Sequence, residues 1–147
     1  MITTPTETPA PSRTASDLAD PVVQSFWLLR IAFVVAPILF GLDKFAHVLV
    51  DWDVYLAPEF SDLLNAEAHT LMYFVGATEI VAGLVVALRP RFGGYLVAAW
   101  LGGIVVNLLT FDPPRFYDVA LRDFGLALAA VALARLATGI ARRGEAA

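Results

Sequence analysis

Four stretches of this chain stay apolar for about the 20 residues that a helix needs to cross about 30 Å of hydrocarbon. They cover about 25–50, 66–88, 93–111 and 114–140. Asp20-Pro21 reads as the cap and first helical residue of the first stretch. Arg89-Pro90 stops the second, because the residue before a proline avoids the helical region. Asp112-Pro113-Pro114 opens the fourth as cap and proline. Pro37 lies inside the first stretch and removes one backbone hydrogen bond, which predicts a kink. Membrane helices tolerate this where neighbours re-satisfy the freed carbonyl. The expected fold is all-α, a bundle of four transmembrane helices in one domain spanning 21–140.

A very apolar soluble bundle is the alternative. Against it, 59% of the residues are hydrophobic and 16% charged, where soluble domains average about 45–50% and about 25%. A chain of 147 residues has no interior large enough for that excess, and lipid is its natural destination. The net charge of −4 and the scattered Lys and Arg exclude a nucleic-acid surface. The absence of cysteine excludes disulfides, thiolate metal centres and dithiol redox chemistry. Residues 1–20, rich in Thr, Pro and Ala, lack the apolar core of a secretory signal. They read as a disordered cytoplasmic tail, and 141–147 as a second, short one.

Positive charge sets the orientation. Arg13, Arg30, Arg89, Arg91, Arg135, Arg142 and Arg143 fall on one side of the four spans, and only Lys44, Arg115 and Arg122 on the other. The connection DWDVYLAPEFSDLLNAEAH has no Lys or Arg. Both termini are therefore expected in the cytoplasm, with the bacterial inner membrane as the location. The connection is expected at the outer surface, with Trp52, Tyr55 and Phe60 among the headgroups, or as a short re-entrant piece.

The polar residues then share a depth. At about 1.5 Å of rise per residue, Asp43, Lys44 and His47 lie in the outer third of the first span. Glu79 lies near the midplane, Asn107 in the outer third of the third span, and Asp118, Arg122 and Asp123 in that of the fourth. Met72, Gly76, Glu79 and Gly83 share one helix face, as do Ala99, Gly103 and Asn107, and Asp123, Ala127 and Ala130. Small residues on those faces let neighbouring backbones approach. Asp43 with His47, and Asp118 with Arg122, are spaced as i, i+4 pairs.

Glu79 is expected to be held by Arg122 or Lys44, with Asn107 as a hydrogen-bond partner. With Asp43, Glu79 and Asp123 against Lys44 and Arg122, one carboxyl is free to hold a proton. The bland reading of Glu79 is a structural ion pair that sets helix register. The functional one is a ligand or proton site, since intramembrane ionisable groups are functional by default. Asp43-Lys44 reads equally as an interfacial helix end, Arg122 as a surface charge, Asn107 as helix glue and Trp100 as packing. Gly93-Gly94 and Gly102-Gly103 are weak signals of close approach. No nucleophile–base arrangement is present.

His47 and His69, the two histidines, end the first span and begin the second. They are the haem candidates, and bis-His ligation requires them to face each other across a pocket. The balance of the reading is against haem. A metal site from the pair with Asp43 or Glu67 has no ligand spacing to support it, and none is expected.

LLRIAFVVAPILFGLDKFAH, the central acid of GATEIVAGLVV, an Asn at the end of the third span and RDFGLALAA in the fourth together resemble the DoxX-like group of small four-helix membrane proteins. The residues that carry the likeness are Arg30, Gly41, Lys44, Glu79 with Gly83, and Asp123, over roughly 25–138. The resemblance implies association with quinone-linked oxidation or terminal oxidases, and other relatives of the bundle serve in redox support or assembly. It supplies no agreed catalytic set. The leading expectation is an accessory or quinone-facing subunit of a membrane oxidoreductase, with membrane lipid and respiratory subunits as partners. Its site candidates are Glu79, Arg122, Asp123, Lys44, Asp43 and Asn107. The alternative is a non-enzymatic assembly factor or lipid-binding scaffold whose charges only fix packing.

Overall fold

The computed structural model describes residues 19–64, 67–112 and 115–145. Five helices lie within the described residues: α1 Pro21–Ala46, α2 Pro58–Leu64, α3 Ala68–Leu88, α4 Pro90–Leu109 and α5 Tyr117–Glu145. There is no strand among the described residues. Helices α1, α3, α4 and α5 are long and apolar enough to cross a membrane. The shortest has 20 residues, which at about 1.5 Å each gives about 30 Å. Leu28, Phe74 and Leu121 stand fully outward on them. In water such side chains would form a continuous apolar patch; in lipid they are solvated. The architecture is that of a multi-pass integral membrane protein.

The four long helices form a ring in which α1 packs on α3, α3 on α4, α4 on α5 and α5 back on α1. Both described ends lie on the same side, where Arg143 Nη1 meets Asp20 Oδ2 at 3.1 Å. Asp20 also caps α1, its Oδ1 accepting from Val22 N at 2.8 Å. The tail preceding Ala19 lies outside the described residues, as do 65–66, 113–114 and 146–147. The last helix runs to Glu145, so most of the expected C-terminal tail is helical.

The span ends differ from the sequence reading in instructive ways. α1 stops at Ala46 rather than near Val50, because His47 takes the left-handed conformation (φ 52°, ψ 43°). Asp43 then closes that end: its Oδ1 accepts from the amides of Val48 at 3.1 Å and Leu49 at 2.9 Å, in the turn that follows the helix. α4 begins at Pro90 itself, not Gly93, since proline at the first position needs no amide partner. α5 begins at Tyr117, after Phe116 at φ 58°, so the expected Asp112-Pro113 cap does not start it. Pro37 sits within continuous helix.

The two halves of the ring are packed differently. Toward the chain ends the core is apolar: Phe26, Phe33, Ala82, Val86, Val97, Ala130, Leu133 and Ala137. Gly93 and Gly94 permit this closeness, since a Cβ on Gly94 would lie 2.7 Å from the Ala130 carbonyl oxygen. Arg30 is a half-buried charge on α1 in that half. It donates to the Ala87 carbonyl and lies over the Trp27 ring at 4.9 Å, a snorkelling arrangement. Toward the α1–α3 connection lies a second, smaller core of Ala57, Leu108, Phe111 and Ala120. Between the two cores are the buried polar groups.

Candidate functional site

Asp43, Lys44, Glu79 and Asp123 are all buried. Three helices deliver them, α1 the first two, α3 the third and α5 the last. Glu79 and Lys44 meet because α1 and α3 touch at glycine: a Cβ on Gly41 would lie 2.6 Å from the Gly76 carbonyl oxygen, and one on Gly76 2.8 Å from that of Gly41. Each glycine is about one turn from the charge on its own helix, so the backbones approach where the side chains must bridge. Lys44 Nζ then donates to Glu79 Oε2 at 2.7 Å. Of the two expected partners for Glu79, Lys44 is the one that binds it.

The ammonium has a second neighbour, the Trp52 ring, whose centroid lies 3.7 Å from Nζ. A cation over an indole face is favourable, the more so where water is excluded. Trp52 Nε1 in turn donates to Asp43 Oδ2 at 2.7 Å. Asp43 therefore accepts three hydrogen bonds, from Val48, Leu49 and Trp52. It holds the indole as a lid over Lys44 and does not pair with His47 as its spacing suggested. Trp52 is inside the polar cluster and not simply among the headgroups.

Arg122 and Asn107 are placed elsewhere than expected. Arg122 Nε donates to its neighbour Asp123 at 3.0 Å, and its side chain is 65% exposed. It completes no pair with Asp118 or Glu79 among the described residues. Asn107 Oδ1 accepts from Ala57 N at 3.0 Å, and its Nδ2 donates to the Tyr55 carbonyl at 2.6 Å. It fastens the α1–α3 connection onto α4, which corrects the expected bond to Glu79. The connection carries a 3₁₀ turn at Trp52–Tyr55 and then α2, and Asn107 satisfies two of the backbone groups between them.

Two faces match the sequence reading and one does not. Met72, Gly76, Glu79 and Gly83 are all buried. Asp123 and Ala130 are buried with Ala127 half-buried between them. Ala99 and Gly103 are exposed, and a Cβ on Gly102 or Gly103 would meet nothing within 4 Å. That side of α4 faces lipid.

Trp100, from α4, completes the cluster. Its indole is turned toward Glu79, and Asp123 is near enough to act on the same carboxylate. The indole Nε1 is buried and faces that carboxylate, beyond the reach of a short hydrogen bond. A buried donor left without an acceptor costs free energy comparable to a lost hydrogen bond, and the Glu79 carboxylate is the acceptor that faces this one. In sequence Trp100 reads as packing, and its mid-span position is the one signal that sets it at the depth of Glu79.

His47 and His69 do come together, ring against ring, with centroids 5.0 Å apart and planes 20° from parallel. Two axial imidazoles of one haem lie on opposite faces of the macrocycle; these two lie directly against each other. An open groove between Phe26, Arg89, Arg91, Phe92 and Ile140 is at the opposite end of the bundle and takes no part in the polar cluster.

No family model matches the chain, and no curated protein or solved structure is significantly similar to it.

Proposed function

We propose that this chain is a DoxX-like protein of the bacterial inner membrane that serves as an accessory or quinone-facing subunit of a membrane oxidoreductase. The observation that carries this reading is the buried Lys44–Glu79 pair with the Trp100 indole N–H facing the same carboxylate. A quinone headgroup presents carbonyl oxygens, acceptors suited to the Lys44 ammonium and the Trp100 N–H that already serve Glu79. The exposed glycines Gly102 and Gly103, within one turn of Trp100, leave a shallow lipid-facing surface over which a flat ring can approach. Glu79 then acts as the proton acceptor or carrier near the ring, with Lys44 setting its charge. Asp123 is a second carboxylate on the same site, and Arg122 its partner at the membrane surface.

The test is binding of a short-chain quinone to the purified protein in detergent, followed by tryptophan fluorescence. Trp100→Phe keeps the packing and deletes the donor; it is expected to weaken binding by about 10-fold, the value of one hydrogen bond of about 1.4 kcal/mol. Absence of quinone binding to the unaltered chain, or equal binding by the variant, would end this reading. Native-gel migration from the source membranes identifies the partner complex. A small colourless species there would favour the non-enzymatic scaffold. That second reading is supported by the full pairing of Asp43 and Lys44, which is what a register device requires.

The proposed orientation places the α1–α3 connection outside. Glu59 is exposed on it, whereas Ala57 is fully buried, so Glu59→Cys in this cysteine-free chain is the reporter. Labelling in intact cells is the expected result, and labelling only after lysis reverses the topology.

A further inference from the structure

Outside the polar cluster, the loop end of the bundle gathers a second set of groups that the quinone reading does not use. His47, Asp53 and His69 each bring one donor atom, and the three atoms lie within 4.8 Å of one another. They come from three segments: the residue that ends α1, the 3₁₀ turn and the first turn of α3. We propose that these three residues form a binding site for a divalent transition-metal ion of the Zn²⁺ or Cu²⁺ type.

The donor chemistry selects the ion. Two imidazole nitrogens and one carboxylate oxygen suit Zn²⁺, Cu²⁺ or Ni²⁺, whereas Ca²⁺ and Mg²⁺ prefer oxygen alone. His69 Nδ1 and Asp53 Oδ2 are 3.0 Å apart. Two ligands at about 2.0–2.1 Å from one tetrahedral Zn²⁺ are separated by about 3.3 Å, so this edge is already close to formed. His69 Nε2 faces the Tyr73 hydroxyl at 2.8 Å. A partner on the second ring nitrogen is the usual device for fixing the tautomer and aim of a ligating histidine.

Two further observations point to a ligand. Asp53 Oδ1 is buried and takes no hydrogen bond, so the carboxylate whose Oδ2 faces His69 keeps one oxygen unanswered. His47 is held in the left-handed conformation, uncommon for a residue other than glycine. That conformation is the one in which its ring stacks on His69. The field is also suitable. From Asp51 to His69 the chain has Asp51, Asp53, Glu59, Asp62 and Glu67 and no Lys or Arg, which concentrates cations at this surface.

The sequence offers Asp43 or Glu67 as the acid of this pair. Asp43 is fully engaged by Val48, Leu49 and Trp52, and the carboxylate beside His69 is that of Asp53. Three protein ligands leave a fourth position open to water or a further ligand. A bound ion ties together the segments that bring Trp52 over Lys44.

The experiment uses the full chain with a histidine-free tag, stripped with chelator and held in detergent. Co²⁺ is titrated as the coloured stand-in for Zn²⁺. The expected result is one Co²⁺ per chain with the visible absorption of a four-coordinate site, lost on adding Zn²⁺. Asp53→Asn and His69→Gln are each expected to weaken binding by at least about 100-fold, the upper end of what losing an outer-shell partner costs, while Asp62→Asn leaves it unchanged. The chain has only two histidines, so Zn²⁺ protection of both imidazoles from acylation, read by mass spectrometry on the unaltered chain, needs no variant. No saturable binding to the unaltered chain, binding indifferent to both ligand variants, or acylation unaffected by Zn²⁺ would overturn the proposal. Each outcome is independent of whether a quinone binds.

Discussion

The half of the bundle near the chain ends and the half near the α1–α3 connection solve the same packing problem by different means. In the first, Val86, Ala130 and Leu133 are completely buried among other apolar groups, and backbones meet at Gly93 and Gly94. In the second, backbones meet at Gly41 and Gly76, but the space beside them holds Lys44, Glu79, Asp43 and Asp123. Apolar packing in lipid has no solvent-driven force behind it and depends on contact area. A charged layer depends on closure: each group is tolerated only while its partner is in place. The first half should therefore lose stability gradually under substitution, and the second abruptly.

The sharpest test is to open the ion pair from one side. Glu79→Leu leaves Lys44 buried without a counter-charge and is expected to cost about 3–5 kcal/mol, whereas Lys44→Met together with Glu79→Leu should recover most of it. Reversible unfolding in mixed micelles measures both. If the double variant is no better than the single, the layer is not held by pairing and the contrast fails.

Asp43→Ala removes three acceptances at once. With charge-assisted bonds contributing about 1.5–3 kcal/mol each at most, and the freed amides able to find water at the helix end, a loss of about 2–3 kcal/mol is expected. Hydrogen exchange at Val48 and Leu49 should accelerate with it, and the Trp52 emission should shift as the indole leaves Lys44. In the apolar half no single substitution should produce so local a signature.

Gly76→Ala and Gly94→Ala compare the two backbone contacts directly. Both place a Cβ under 3 Å from a carbonyl oxygen, so each should cost about 1–3 kcal/mol by overpacking. Gly76→Ala should also disturb the proposed quinone binding, because α1 and α3 must separate at the ion pair. Gly94→Ala should leave it untouched. Gly103→Ala sets the baseline, with a change within about 0.5 kcal/mol, since nothing lies near its Cβ.

Much of this protein was legible as periodicity and punctuation. Span number, the face of Met72, Gly76, Glu79 and Gly83, and the presence of a buried polar layer follow from helix geometry and from the cost of placing charge in lipid. These are one-dimensional properties: about 20 apolar residues make a span whatever they pack against. The partners within the layer were not legible. Lys44 and Arg122 are equally good cations in sequence, and the Gly41–Gly76 contact between α1 and α3 decided for Lys44. Spacing alone points Asn107 toward Glu79, but the returning loop places the carbonyl of Tyr55 and the amide of Ala57 within its reach. Trp52, 27 residues from Glu79 in sequence, entered the cluster only because Asp43 turns the chain at the end of α1. The grouping of His47, Asp53 and His69 has the same origin, since their donors converge only after the left-handed turn at His47. The sequence by itself determined that charge would be buried here, because hydrophobicity and spacing are local. Which charge meets which was decided by tertiary structure alone, because that depends on helix rotation and loop closure, and these are set by contacts between residues far apart in the chain.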